Sequence, residues 1–319
     1  MIENRKIFIT GGAGFIGSHI IDRLIENNKI VVYDNLHRNA IKFTGSLNHP
    51  NLTFIQGDVL DLEKVKSSMK GADFVIHAAA IAGIYSVGVK ASNTMKVNLL
   101  GTFNVLEACV ENNIKRLIDF STSETYGPFI YKGKESDKTS LGPVGEKRWI
   151  YAVSKLAGEH MAHAYADDFG LEVVTVRPFN VYGPRQIGEG AIQQMANRAL
   201  RNEDITVFND GTQIRSWCFV TDFADCIVKC LDVADAKNNV FNIGNPQATL
   251  TVFGLAEKII QFTGSKSKIN FKPHPGPEVE MRIPDIGKAR EILNYEPIVG
   301  MDEGLKLAID WYKQHQITV

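Results

Sequence analysis

The sequence has few cysteines and no cysteine motif: Cys109, Cys218, Cys226 and Cys230 are scattered through 319 residues without a Cys-x-x-Cys. That scatter describes packing residues, not a disulfide framework. Net charge is also nearly absent, 35 Lys+Arg against 36 Asp+Glu leaving −1, so nothing draws the chain electrostatically to nucleic acid or to an anionic membrane. No long apolar run occurs. The longest mostly apolar stretch, Val75 to Val89, is broken by His77, Gly83 and Gly88 and is too short to span a bilayer. Charge at Glu3, Arg5 and Lys6 passes directly into a strand pattern, leaving no room for a secretory signal, and the expectation is a cytoplasmic protein. His160 and His163 follow Glu159 on one helical face, but no third ligand accompanies them and no metal is expected. Internal repeats and low-complexity tracts are missing too.

What is present is material for a large core, 44% apolar residues, arranged in an alternation. β-Branched runs at Lys6 to Thr10, Ile30 to Asp34, Leu52 to Gln56, Phe74 to Ala78, Arg116 to Ser121 and Val173 to Arg177 alternate with segments of helical period. Those helical segments are Phe15 to Asn27, Leu60 to Met69, Met95 to Glu111 and Tyr151 to Phe169. The pattern predicts α/β architecture, a doubly wound parallel sheet of Rossmann type with helices on both faces. After Arg177 the texture loosens around Pro178, Gly183-Pro184, Asn209-Asp210-Gly211 and the Pro-rich stretch from Pro273 to Pro284. Helices are predicted there at Ala191 to Arg201, Asp222 to Leu231, Val252 to Thr263 and Asp302 to Gln314. This is read as a second, smaller α/β lobe for substrate, covering about 178–217 and 245–319. Residues 1–177 and about 218–244 form the nucleotide-binding domain, because the strand-like Val240 to Ile243 is expected to return to the first sheet.

Thr10-Gly11-Gly12-Ala13-Gly14-Phe15-Ile16-Gly17 lies between the first strand and the first helix. Gly11 permits a tight turn, Gly14 lets backbone approach a pyrophosphate, and Gly17 lets helix and strand pack closely, with the anion on the helix N-terminus. Asp34, about twenty residues beyond the glycines at the end of the second strand, suits ribose hydroxyls and would repel a 2′-phosphate, so the dinucleotide should be NAD. The alternative for this acid is a loop cap. Asp58, ending the third strand in Gly57-Asp58-Val59, could reach the adenine edge or cap its own loop.

Tyr151 and Lys155 stand four apart at the head of a helix, hence one turn apart on one face. An ammonium near a phenol favours the phenolate, lowering a pKa that is ordinarily about 10. Such a pair is also common on amphipathic surfaces. It gains force from Ser121-Thr122-Ser123 at the end of the fifth strand, which should open on the same crevice.

Together, Thr10 to Gly17, His77-Ala78-Ala79-Ala80, Ser121-Thr-Ser-Glu-Thr-Tyr-Gly127, Tyr151-x-x-x-Lys155 and Arg177-Pro-Phe-Asn-Val-Tyr-Gly-Pro184 resemble the extended short-chain dehydrogenase/reductases. More narrowly, they resemble the NAD-dependent nucleotide-sugar epimerases, dehydratases and decarboxylases. The resemblance implies that Tyr151 takes the proton of a sugar 4-hydroxyl, Thr122 hydrogen-bonds that oxygen, and Lys155 tunes the tyrosine and orients NAD. The product of that step is a 4-keto sugar, and NAD is regenerated internally. The expected NAD contacts are Gly11, Gly14, Phe15, Ile16, Gly17, Asp34, Asn35, Asp58, Val59, Ala78, Ala79, Ala80, Asn98, Tyr151 and Lys155. The expected partner is a nucleotide-diphosphate sugar, and a homodimer is expected through Met95 to Glu111 and Tyr151 to Phe169.

A 4-keto sugar can be dehydrated, decarboxylated or epimerised. Thr122-Ser123-Glu124 lacks the aspartate of the dehydratase pattern Thr-Asp-Glu and keeps a glutamate that typical 4-epimerases lack; it matches the UDP-glucuronic acid decarboxylases. Gly145 to Lys155 resembles the bacterial decarboxylase of lipid A aminoarabinose synthesis, and Glu280-Met-Arg-Ile-Pro-Asp-Ile286 places Arg282 where the decarboxylases carry an arginine implicated in the reaction. An arginine fork suits a carboxylate, though a surface arginine anchoring the last helices is the other reading. Ile81-Ala82-Gly83-Ile84-Tyr85 keeps only the tyrosine of the family's turn after the fourth strand, Thr125 stands for a usual valine and Ile283 for a lysine. Tyr85, Asn180, Arg185, Arg215 and Arg282 are the expected substrate contacts, with Arg215 toward the diphosphate. The alternatives are a nucleotide-sugar 4-epimerase, a dehydratase using Glu124 alone, and a non-catalytic NAD(H)-binding regulator.

Overall fold

In the first strand Ile7 and Ile9 point to one side and Phe8 to the other, and all three are inaccessible to solvent. A strand with period two that is buried on both sides must sit inside a sheet covered on both faces. A computed structural model describes residues 2–274 and 276–315, apart from the side chain of Ile84; Pro275, within the Pro-rich stretch, lies outside the described residues.

The first half runs β1 (Lys6–Thr10), α1 (Phe15–Leu24), β2 (Lys29–Asp34), β3 (Leu52–Gln56), α2 (Leu62–Met69), β4 (Phe74–His77), α3 (Ile84–Val89), α4 (Ala91–Glu111), β5 (Arg116–Phe120), β6 (Phe129–Gly133), α5 (Ile150–Phe169) and β7 (Glu172–Pro178). The second runs β8 (Val181–Tyr182), α6 (Ala191–Leu200), β9 (Ile205–Phe208), β10 (Ile214–Ser216), β11 (Cys218–Phe219), α7 (Val220–Asp232), β12 (Asn239–Ile243), β13 (Thr249–Thr251), α8 (Val252–Thr263), β14 (Ile269–Lys272), β15 (Met281–Pro284), α9 (Gly287–Leu293) and α10 (Met301–His315). Seven parallel strands form the main sheet in the order β12-β7-β5-β4-β1-β2-β3. The order reverses between β1 and β4, and ligands of such sheets bind in the crevice outside the strand ends at that point.

One face packs Ile7, Ile9, Val32, Ile76, Ile118 and Val176 against α1 and α7; the other packs Phe8, Val31, Val75, Leu117 and Val173 against α2, α4 and α5. A third core, with Tyr182, Ile192, Trp217, Leu255 and Ile309, belongs to the smaller lobe. Its four-stranded sheet has the order β13-β10-β15-β6.

β12 returns to the main sheet beside β7. Two segments cross the division expected from sequence. β6 lies within the first 177 residues but is the edge strand of the small sheet. Ile286, Ala289, Leu293 and Tyr295, assigned to the substrate lobe, pack into the core beneath α1 and α7. Burial decides both: an apolar α9 face and a short strand go where an uncovered surface waits, irrespective of chain order. Among the described residues no helix is long and apolar enough to cross a membrane.

Candidate active site

A cleft of about 880 Å³ opens at the strand ends around the β1/β4 reversal. At its base Gly11 has φ +72, and a Cβ there would lie 2.6 Å from the Ala79 nitrogen; at Gly17 it would lie 2.6 Å from the Gly11 carbonyl oxygen. Backbone blocks both positions, so only glycine lets β1, β4 and α1 meet this closely. No side chain caps the start of α1 at Gly14, leaving the first-turn N–H groups of Phe15, Ile16 and Gly17 directed at the cleft they line. Asp34 is pinned at the end of β2: its carboxylate accepts from Leu36 N at 2.7 Å and Ala13 N at 3.0 Å. Burial pushes its pKa up, and these backbone donors pull against that rise. An uncapped helix end in a glycine cradle, with a fixed acid 20-odd residues on, fits a dinucleotide diphosphate and its ribose.

Asn35, Asp58, Val59, Ala78, Ala79 and Ala80 also line the cleft, with Asp58 capping Leu60 N at 2.9 Å. Asn98 does not reach it. Its amide accepts from Ile81 N at 2.8 Å and donates to Ile81 O and Ser154 Oγ at 3.1 and 3.0 Å, so it braces the wall from behind.

Thr122, Ser123, Glu124, Tyr151 and Lys155 converge on the opposite side of the nucleotide cradle. Thr122 caps the turn after β5, accepting from Glu124 N at 3.2 Å, and its hydroxyl acts on the Tyr151 phenol across the cleft that both line. Burial, reinforced by Glu124, holds that phenol above its ordinary range, against the Thr122 hydroxyl and the charges of Arg38 and Arg282. The dominant influences are thus not the lysine expected from the one-turn spacing. Lys155 is itself buried, which lowers its pKa, while Asp119 and Glu159 raise it.

Glu124 sits between two guanidinium groups. Arg148 grips both of its oxygens at 2.6 and 3.1 Å, and Arg282 Nη1 stands 3.5 Å away. Burial alone would raise the carboxyl; Arg282 and Arg148 overcome that and hold it below the usual carboxylate range. Arg282 is 3% exposed, donates to Gly127 O at 3.1 Å and lines the cleft, with Nε unpartnered. It is therefore an interior group, not a surface anchor.

Arg148 was not picked out from sequence, although its signal was legible: it stands three residues before Tyr151, on the turn leading into α5. Glu189 lies in the Gly188-Glu-Gly190 stretch expected to border the substrate site, whereas Arg38 carried no signal. Arg38 donates to Ala82 O at 3.0 Å and pairs with Glu189 at 3.3 Å. Glu189 also accepts from Tyr85 N at 2.7 Å and from both Ser86 N and its hydroxyl. Two loops distant in sequence thus hold the segment around Gly83, where the decarboxylase turn pattern is missing. Tyr85, 75% exposed, stands at the mouth, and Asn180 lines the cleft with its amide donating to Ser216 O at 2.8 Å.

Two expected substrate contacts lie outside the lining. Arg185 is spent on α1, ion-paired with Asp22 and packed on His19. Arg215 donates to the backbone oxygens of Ile214 and Val279; burial, with Arg282 adding to it, pushes its pKa down to about 10. Both arginines satisfy nearby acceptors that the linear sequence does not reveal.

A family model described as the NAD dependent epimerase/dehydratase family matches residues 7–244. The chain belongs to that family. Its cofactor is NAD, and it is an enzyme. The member is 32% identical to the UDP-N-acetyl-alpha-D-glucosaminuronate decarboxylase of Bacillus cytotoxicus, over 97% of this chain and 98% of that protein. It is 35% identical to UDP-glucuronic acid decarboxylase 3 of Arabidopsis thaliana, over 95% and 88%. It also superposes, with TM-score 0.90 and 31% identity over 97% and 99%, on the Bacillus cereus UDP-glucuronic acid 4-epimerase in complex with UDP-glucuronic acid and NAD.

Proposed function

We propose that this enzyme decarboxylates a UDP-linked uronic acid of the glucuronic acid type through a 4-keto sugar, recycling its NAD. The observation that carries the reading is the cluster of Glu124, Arg148 and Arg282 beside Tyr151. Two cations and one anion leave net positive charge next to the reacting ring, which suits a substrate carboxylate. A glutamate held by two guanidinium groups is a weak base, which disfavours proton abstraction from C5 and with it dehydration.

Tyr151, beside Thr122, takes the 4-hydroxyl proton; Lys155 would hold the nicotinamide ribose, and Gly11, Gly14, Gly17 and Asp34 would hold the rest of the dinucleotide. NAD held there would supply the acceptor for the C4 hydride. The 4-keto sugar is then a β-keto acid, and carbon dioxide leaves with its electrons passing into the ring enolate. Arg282 guides reprotonation at C5.

Incubation with UDP-glucuronic acid or its 2-acetamido counterpart and catalytic NAD should release carbon dioxide and give a UDP-pentose, read by product mass. Unchanged substrate mass and no carbon dioxide at high enzyme concentration would defeat the proposal. A second reading, 4-epimerisation of the same uronate, is favoured by the similarity to the Bacillus cereus 4-epimerase, and gives equal mass with inverted C4. Two copies should pair through the outer faces of α4 and α5, where Leu100, Phe103, Val153 and Phe169 are exposed. Sedimentation velocity should find a dimer, and a monomer at every concentration would contradict this.

A further inference from the structure

Segments far apart in sequence are fastened together at the mouth of the cleft. Glu189, in the loop between β8 and α6, accepts from Tyr85 N at 2.7 Å, from Ser86 N at 3.1 Å and from the Ser86 hydroxyl. Tyr85 and Ser86 stand in the first turn of α3, where backbone N–H groups have no partner within the helix, and the preceding Gly83 has no side chain to cap them. The carboxylate therefore closes that turn from a distant loop. Arg38, four residues past Asp34 on the loop after β2, donates to the same carboxylate at 3.3 Å and to Ala82 O at 3.0 Å. Two glycines let these groups come so near. A Cβ at Gly83 would stand 2.5 Å from a Glu189 carboxylate oxygen, and one at Gly188, with φ +107, would stand 3.0 Å from Arg38 Nε.

The sheet order sets what these contacts enclose. β1 lies between β4 and β2, so the loops that follow β2 and β4 stand on either side of the glycine loop that follows β1. Arg38 and Ala82 line the cleft with Gly11, Gly14 and Gly17, and their hydrogen bond joins the two flanking loops across it. Glu189 then ties both to the loop leading into α6, whose Ile192 belongs to the core of the smaller lobe. The Arg38 and Glu189 side chains are 35% and 19% exposed. A pair this open to water carries a modest desolvation cost, and its strength responds to salt.

We propose that Arg38 and Glu189 form a clasp across the dinucleotide cradle that slows the release of NAD, with Glu189 as the positioning residue. The bonds from Tyr85 and Ser86 fix the carboxylate, and the fixed carboxylate holds the Arg38 guanidinium on Ala82 O. A dinucleotide seated on the glycine loop leaves when the link between the flanking loops opens, and opening breaks the ion pair. The clasp goes beyond the reaction proposed above, because it requires NAD in the cradle and no particular sugar. It also suits internal recycling, in which the cofactor has to stay through both hydride transfers.

The experiment is exchange of labelled NAD out of the holoenzyme into excess unlabelled NAD, without sugar, for wild type, Glu189→Gln, Glu189→Ala and Gly188→Ala. Release should speed up by roughly three- to tenfold in both Glu189 variants, the size expected for a partly exposed ion pair and its hydrogen bond. Gly188→Ala should move the same way, because the new methyl displaces the guanidinium. Raising salt from about 0.05 to 0.5 M should speed release more in wild type than in Glu189→Gln, which has no charge left to screen. A loop that only supported the fold would give the same salt response in both. Release at the wild-type rate in the Glu189 variants, or a salt response in Glu189→Gln equal to that of wild type, would overturn the clasp. Should Glu189→Ala not fold, the isosteric Glu189→Gln carries the test. An enzyme inert toward every uronate whose variants still release NAD faster fails only the proposed reaction.

Discussion

Phenylalanine at position 151 should lower turnover by about 10²–10⁴-fold, the usual contribution of a positioned proton-transfer group, with NAD affinity and melting temperature near those of the wild type. The expectation follows from geometry. The phenol lines the cleft with Thr122, Arg38 and Arg282, and the hydroxyl and both guanidinium groups favour its ionised form. Burial raises its pKa, so it has to work under the combined pull of those cations. Removing only the hydroxyl leaves the ring packing intact. Single-turnover measurement of hydride transfer from the sugar separates this from a product-release effect; an undiminished rate in Tyr151→Phe would remove the catalytic assignment altogether.

Replacing Arg177 by leucine should cost stability on the order of 3–5 kcal/mol, because it strands a buried carboxylate. Both partners of the Arg177–Glu159 pair are nearly sealed, with side chains 6% and 5% exposed. The same guanidinium donates to Tyr126 OH at 2.8 Å and lies over that ring at 4.9 Å, and Tyr126 in turn donates to Asn242 on β12. One arginine thereby ties α5, β7, the turn after β5 and the last strand of the sheet. The melting temperature should fall by roughly 10 °C in a chain of this size. The double variant Arg177→Leu with Glu159→Leu should recover part of the loss, since it removes the uncompensated charge. No recovery would mean that the network contributes through packing instead.

Local pattern made the main sheet legible. β1 and β3 occupy the predicted residues, and α8 spans Val252–Thr263 as its period required, because each has an apolar repeat and a terminator within its own few residues. β6, β9, β10, β14 and β15 were not anticipated. They are three to five residues long with no repeat of their own, and they are strands only because a partner strand lies alongside. The site divides in the same way. The glycine loop, Asp34, Thr122, Tyr151 and Lys155 are read from spacing within one turn or one strand–helix junction. Arg148 lies in the Gly145 to Lys155 run, but its fork on Glu124 exists only in the folded chain. Arg185 and Arg215 had the right chemistry in the right segments, yet they are occupied by Asp22 and by strand carbonyls.

The sequence by itself determined that this is a doubly wound dinucleotide enzyme with a tyrosine–lysine pair. A phosphate cradle and a one-turn pair are short-range geometries that backbone sterics enforce wherever those residues occur in that order. Only the tertiary structure decided the charge state around that pair. Which carboxylate is neutralised, and by which cation, depends on distances between strands and helices far apart in the chain, and burial turns those distances into strong electrostatics. Glu124 received two arginines and Glu159 one.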